Sequence, residues 1–246
     1  MVSDLPLDMQ LHLPVSGWHC YWFQLNQSGA QGDDFVANPD TTIVLVHGLW
    51  NRGWSMTAMA KRLRSRGHHV EIFSYATRSD SLDGHAEDLH AFLGNIRAEE
   101  IHLVGHSMGG LVILNLLSRY DDVRPGRVVL MGTPVKGSGT VKRLERLPGQ
   151  KLMFGKARDN LLQGFQHTPL QHETGMIRGT RALGLGRIAG RRGEANDGSV
   201  SVSETELDGL KDSVELAVAH SEMLISAEVL QQVEQFLLHG GFKKDQ

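Results

Sequence analysis

Only one cysteine, Cys20, stands among the 246 residues. No intrachain disulfide can form, and a reducing, cytoplasmic setting is expected. Cys20 itself is expected to pack as a small apolar residue rather than to react. No apolar run approaches the roughly 18 residues that a membrane-crossing helix needs. The N-terminal "MVSDLPLDMQLHLPVSG" carries acids and has no basic stretch leading into an apolar one, so no secretory signal is expected. The 13 histidines, including the pair His68 and His69, show no metal-ligand spacing, and no metal site is expected. There is neither an internal repeat nor a low-complexity tract. A chain of this length can enclose one large core, so a single domain over residues 1–246 is expected.

What is present is a recurring alternation. The runs "TTIVLVHG", "HHVEIFSY", "IHLVGHS", "GRVVLMGTP", "LGRIAG" and "VELAVAH" are short and rich in β-branched residues, with helical patterns between several of them. That order predicts an α/β fold, a mainly parallel sheet with helices on both faces. An earlier run, "WHCYWFQL", fits an added antiparallel edge strand, and residues 26–40 read as a loop. Helices are expected over 55–66, ending at Gly67, over 85–97, with Leu89, Phe92, Leu93 and Ile96 on one face, and over 226–239, between Ser226 and Gly240. Residues 134–186 fit no strand and form the longest gap between expected strands, which marks them as a candidate cap or lid inserted in the domain.

Within this pattern the stretch "VGHSMGG", residues 104–110, carries Ser107 between Gly105 and Gly109. An apolar strand precedes it and the unbroken helical run "MGGLVILNLLSRY" follows it. A serine at such a strand-to-helix corner can be held exposed in a strained conformation, provided that the flanking positions have no Cβ to collide with the neighbouring strand and helix. His106, between Gly105 and Ser107, is expected to pack or hydrogen-bond locally.

A serine hydroxyl is a weak nucleophile near neutral pH, so it needs a base, and the base needs an orienting carboxylate. After Ser107 the chain offers Asp197 in the polar loop "RRGEANDGSVSV", then His220 at the end of "VELAVAH". Both loops are expected to open at the carboxyl edge of the sheet, where Ser107 lies. Asp208 and Asp212 also precede His220 but fall in "ELDGLKDS", a surface connection, and His239 ends a helix. The oxyanion formed on attack needs two N–H donors. Met108, following the nucleophile at a helix N-terminus, is one candidate, and Leu49, following Gly48 in "VLVHGLW", is the other. His47 then serves to fix that loop.

The phrases "VHGLW", "GHSMGG", "MGTPVKGS" and "NDGSVSV", in that order, resemble an α/β-hydrolase of the bacterial lipase and esterase type, over roughly residues 41–240. The resemblance implies the α/β-hydrolase fold, Ser107, Asp197 and His220 as catalytic triad, Leu49 and Met108 as oxyanion donors, and no cofactor. The chain departs from secreted members of that group, which often have a disulfide and a bound calcium, since it has neither the cysteines nor a clear acidic cage.

A serine hydrolase of carboxylic esters with an apolar acyl group is therefore expected, acting on a small-molecule or lipid ester through an acyl-enzyme on Ser107. Acyl transfer, thioester cleavage or peptide cleavage would use the same triad, and a non-catalytic binding protein of the same fold is a reading from another class. Trp50 and Trp54 flank the oxyanion loop as substrate-binding candidates. Leu144, Leu147, Leu152, Met153, Phe154, Leu161, Leu162 and Phe165 could equally line an acyl pocket or seal the insertion onto the body. Residues 134–192 hold twelve Lys and Arg against three Asp and Glu, a formal +9 within a chain whose net charge is −3. Lys136, Lys142, Arg143, Arg146, Lys151, Lys156 and Arg158 could form a field for an anionic membrane surface, or they could simply balance an acidic body. No nucleic-acid partner is expected, and the oligomeric state stays open.

Overall fold

In the run "TTIVLV" every residue after the first is buried, because the strand it forms has neighbours on both sides and helices above and below. The computed structural model describes residues 40–124, 126–145, 148–149, 153–165, 170–183 and 194–244, all within the unit Val36–Gln246. Its strands are β1 (Thr41–Val46), β2 (His69–Phe73), β3 (Glu100–His106), β4 (Val128–Met131), β5 (Thr174–Gly179) and β6 (Asp212–Leu216). They pair in the order β2-β1-β3-β4-β5-β6, and every pairing is parallel.

Alternate strand residues enter two different cores, as the pleat requires. Val44, Val46, Leu103, Leu130 and Met176 face one side, where α2 (Leu82–Gly94) and α3 (Met108–Arg119) pack. Ile43, Leu45, Val104, Val129 and Ile177 face the other, covered by α1 (Thr57–Ser65) and α6 (Ala227–His239). The α/β fold with helices on both faces thus holds. The helix starts follow their caps. Ser81 Oγ accepts the N–H of Gly84, which starts α2 three residues before the expected position, and Ser226 Oγ accepts that of Val229 at the head of α6.

Three expectations need correction. Residues 134–186 do contain a strand, β5, so the insertion between β4 and β5 ends before Thr174. It holds α4 (Gly139–Leu144), a 3₁₀ turn over Gly155–Ala157 and α5 (Arg158–Gln163). "TGMIRG" was inconspicuous because two of its six residues are glycines. Gly175 must be one, since a Cβ there would lie 2.6 Å from Phe236. Asp212 is not in a surface connection: it heads β6, accepting the N–H of Phe242 and pairing with Lys244. That strand also ends at Leu216, short of His220. Cys20, the "WHCYWFQL" run, residues 26–39 of the expected loop and the "LGRIAG" run lie outside the described residues.

The cores also hold histidine rings. His47, His85, His102 and His106 are buried, and His68 is largely so, on Glu234. Burial lowers the pKa of each, to about 4 for His68 and about 3 for His106. The unfolded chain protonates these groups below about pH 6.5, whereas the folded chain resists until much lower. Stability is therefore full above that value and declines as pH falls below it, because the unfolded chain takes up protons that the buried rings do not. Urea unfolding at pH 7.5 and at pH 5 should show a clearly lower midpoint at pH 5; an equal or higher midpoint would contradict these neutral rings.

Candidate active site

The β3–α3 corner is shaped by contacts that leave no room for side chains. A Cβ on Gly109 would lie 2.3 Å from the carbonyl oxygen of Val46, and one on Gly105 would lie 2.7 Å from the backbone of Gly110. Between them Ser107 takes φ 55° and ψ −123°, a conformation costly for any residue with a side chain. It serves as the N-cap position of α3 without capping it through its own hydroxyl. The Oγ is thereby left for other work.

Asp197 and His220 meet at the same edge. His220 Nδ1 lies 2.6 Å from Asp197 Oδ2, and the backbone N–H of His220 donates to the carbonyl of Asp197 at 2.8 Å. Asp197 is 1% exposed, and its other oxygen, Oδ1, accepts the N–H groups of Ser199 at 2.8 Å and Val200 at 2.7 Å. Those two donors fix the carboxylate's plane. Since an ionised carboxylate can only accept, His220 bears a proton on Nδ1, and in the neutral ring the lone pair then lies on Nε2. Of the rival acids and bases, Asp212 is occupied in β6 and His239 ends α6.

His106 joins these parts. Its Nε2 donates to the carbonyl of His220 at 2.9 Å, and the two rings lie 4.6 Å apart. The expectation that it packs holds, since the ring is buried, whereas its hydrogen bond is not local: it spans 114 residues, and only the tertiary fold could have shown it. Gly48 packs beside the same place, where a Cβ would come within 2.9 Å of Ser107 Cβ.

The loop after β1 is held from beneath. His47 is fully buried and stacks on Tyr75 at 4.6 Å. Its Nε2 accepts the N–H of Tyr75, its carbonyl accepts the Tyr75 hydroxyl at 2.9 Å, and its Nδ1–H points to the Gly48 carbonyl at 3.1 Å. The sequence reading of His47 as a loop-fixing residue fits this geometry. Among the described residues neither the N–H of Leu49 nor that of Met108 donates to a protein acceptor. The chain thus brings a strained serine, a His–Asp pair and two uncommitted backbone donors to one edge of the sheet.

The other candidates fare differently. Trp54 is 73% exposed. Trp50 is half exposed, but its indole is engaged with the insertion, donating to the carbonyl of Met153 and stacking on Phe154. Phe154 and Leu161 are buried in the core under α2 and α3, where they seal the insertion onto the body, and Leu144, Met153, Leu162 and Phe165 pack against that core half-buried; Leu147 and Leu152 lie outside the described residues. Of the seven basic side chains, Arg146 and Lys151 also lie outside. Lys136 pairs with Glu206, Lys156 with Asp80 and Arg158 with Glu145, which leaves Lys142 and Arg143 without an ion-pair partner among the described residues. No cluster of three metal-ligating side chains occurs among the described residues, and no helix among them is long and apolar enough to cross a membrane.

The chain is similar to known proteins. A 40% identical stretch of 88 residues links the chain to a carbendazim hydrolyzing esterase of Nocardioides sp. (strain SG-4G), covering 31% of this chain and 35% of the esterase. The match thus spans about a third of that relative's length. The mature form of the Bacillus licheniformis lipase BlEst2 superposes with a TM-score of 0.63 at 17% identity, over 83% of this chain and 94% of the lipase. The metagenomic carboxyl esterase MGS0156 gives 0.62 at 18%, over 75% and 66%. At such identities the two structures speak for the fold. The model of the alpha/beta hydrolase family matches residues 43–220, a span that runs from β1 to His220, and the chain belongs to that family.

Proposed function

We propose that the protein is a serine hydrolase of carboxylic esters, with Ser107 as nucleophile, His220 as general base and acid, and Asp197 as the group that orients and stabilises the imidazole. The observation that carries this reading is the buried Asp197 carboxylate, bonded at 2.6 Å to the ring of His220, whose backbone carbonyl accepts the Nε2–H of His106, the residue preceding Ser107. A buried acid committed to a histidine beside a strained serine has little purpose in a binding protein. The esterase and lipase names of the relatives point the same way.

In this reading His220 Nε2 takes the Ser107 proton as Oγ attacks the ester carbonyl carbon. The carbonyl electron pair moves onto oxygen, where the N–H groups of Leu49 and Met108 receive it. When the pair returns, the C–O bond to the leaving alcohol breaks and His220 delivers its proton to that alcohol. Water, deprotonated by the same nitrogen, then attacks the acyl-enzyme and releases the acid. No step requires a metal or an organic cofactor.

The substrate is proposed to be a small-molecule or lipid ester with an apolar acyl group. The half-buried side chains of Leu49, Leu144, Met153, Leu162 and Phe165 offer apolar surface for such a chain. With three of its basic side chains already ion-paired, the insertion's charge is better read as balancing the acidic body than as a field for anionic lipid.

Ser107→Ala and His220→Ala should each lower ester turnover by on the order of 10³-fold or more, because the three groups act as a unit. Steady-state assays over esters of graded acyl length measure this and rank the acyl groups together. Substantial residual activity in Ser107→Ala would refute the assignment. Turnover should also survive EDTA unchanged; a loss that a divalent ion restores would refute the metal-free mechanism.

A further inference from the structure

Trp50 is an unusual residue in its place. It occupies the third position of a turn that the N–H of Asn51 closes on the Gly48 carbonyl at 3.2 Å, and it has φ +61°. Positive φ at that position is normally supplied by glycine or asparagine, and a bulky aromatic there is a strained choice that persists only if its surroundings enforce it. With 52% of its surface exposed, burial accounts for only part of what holds it.

Three contacts do so. The Trp50 backbone N–H donates to Thr77 Oγ1 at 3.2 Å. The indole Nε1–H donates to the carbonyl of Met153 at 2.8 Å. The ring also stacks on Phe154 at 5.6 Å, with 27° between the planes, and Phe154 is wholly buried. Both anchors are fixed to each other as well. The N–H of Lys156 donates to the Arg78 carbonyl at 3.2 Å, and a Cβ on Gly155 would lie 2.4 Å from that same oxygen. The loop after β1, the loop after β2 and the insertion between β4 and β5 therefore lock together at one side chain, which directly follows Leu49.

We propose that Trp50 is a positioning residue: its indole N–H, bonded to the insertion, holds the turn that aims the Leu49 N–H at the developing oxyanion. This rests on the reading of Leu49 as an oxyanion donor. Removing an oxyanion donor outright costs about 10²–10³ in kcat; loosening its support should cost less, about tenfold. The loss should fall on kcat and leave KM nearly unchanged, since a ground-state carbonyl demands little from the donor while the tetrahedral oxyanion demands much. A residue that merely seals the insertion or touches substrate would change KM instead.

The test compares wild type with Trp50→Phe, which keeps an aromatic ring to stack on Phe154 but has no N–H, and with Thr77→Val, which removes the second tie without changing side-chain shape. Kinetics are measured on one ester, together with the inhibition constant of an alkylboronic acid, whose tetrahedral adduct on Ser107 mimics the oxyanion. Each variant should lose about tenfold in kcat and in boronate affinity at unchanged KM, and the double variant should lose less than the product of the two. Thr77→Val carries the test alone should Trp50→Phe prove unfolded by its thermal transition. Unchanged kcat and boronate affinity, or a change confined to KM, in a variant with a wild-type thermal transition would overturn the proposal. Absence of any boronate binding or esterase activity in the wild type would instead overturn the hydrolase reading on which it rests.

Discussion

The site depends on how closely α3 approaches the strands beside it. At Gly109 the helix backbone comes so near the end of β1 that even a methyl group would sit 2.3 Å from the Val46 oxygen, and at Gly105 the strand meets the first turn of the same helix. The chain can reverse direction in that space only by putting Ser107 at positive φ. A residue so placed has its side chain turned away from both the strand and the helix axis, at the carboxyl edge of a sheet whose strands all run the same way. Every loop that follows a strand then opens toward that edge. The loop after β1 brings Leu49, the chain between β5 and β6 brings Asp197, and the segment after β6 brings His220.

Around that corner polar groups are fixed by backbone partners more than by one another. Asp197 is held by two N–H groups of its own loop, His47 by Tyr75 and Gly48, and His220 through its carbonyl by His106. Such bonds hold these groups at fixed distances, which is what the proposed proton transfer needs if its parts are to meet without reorganising. Burial also keeps His47 and His106 neutral. They can serve as fixed donors and acceptors without adding positive charge beside the proposed base.

Much of this was legible in the sequence because backbone crowding leaves a trace in residue type. The spacing of Gly105, Ser107 and Gly109 reports a corner with no room for Cβ atoms, and the apolar runs of β1, β3 and β4 report strands covered on both faces. Asp197 and His220 could be picked out because each follows a stretch rich in either turn residues or β-branched ones. β5 was missed because its burial is imposed from outside: Phe236 and Phe242 lie against Gly175, so the strand itself needs few large residues. The bonds from His106 to His220 and from Trp50 to Met153 were illegible for a related reason. They join residues more than a hundred positions apart, and neither end has a local pattern that names its partner.

The central claim is that the strained hydroxyl of Ser107 becomes acylated during turnover. Acid-quenching the wild-type protein in its first turnovers with a slowly deacylating ester, followed by peptide mass mapping, tests it directly. The account predicts one added acyl mass, confined to the peptide containing Ser107 and absent from Ser107→Ala. Turnover with no adduct on that peptide, or with the acyl mass on another residue, would contradict it.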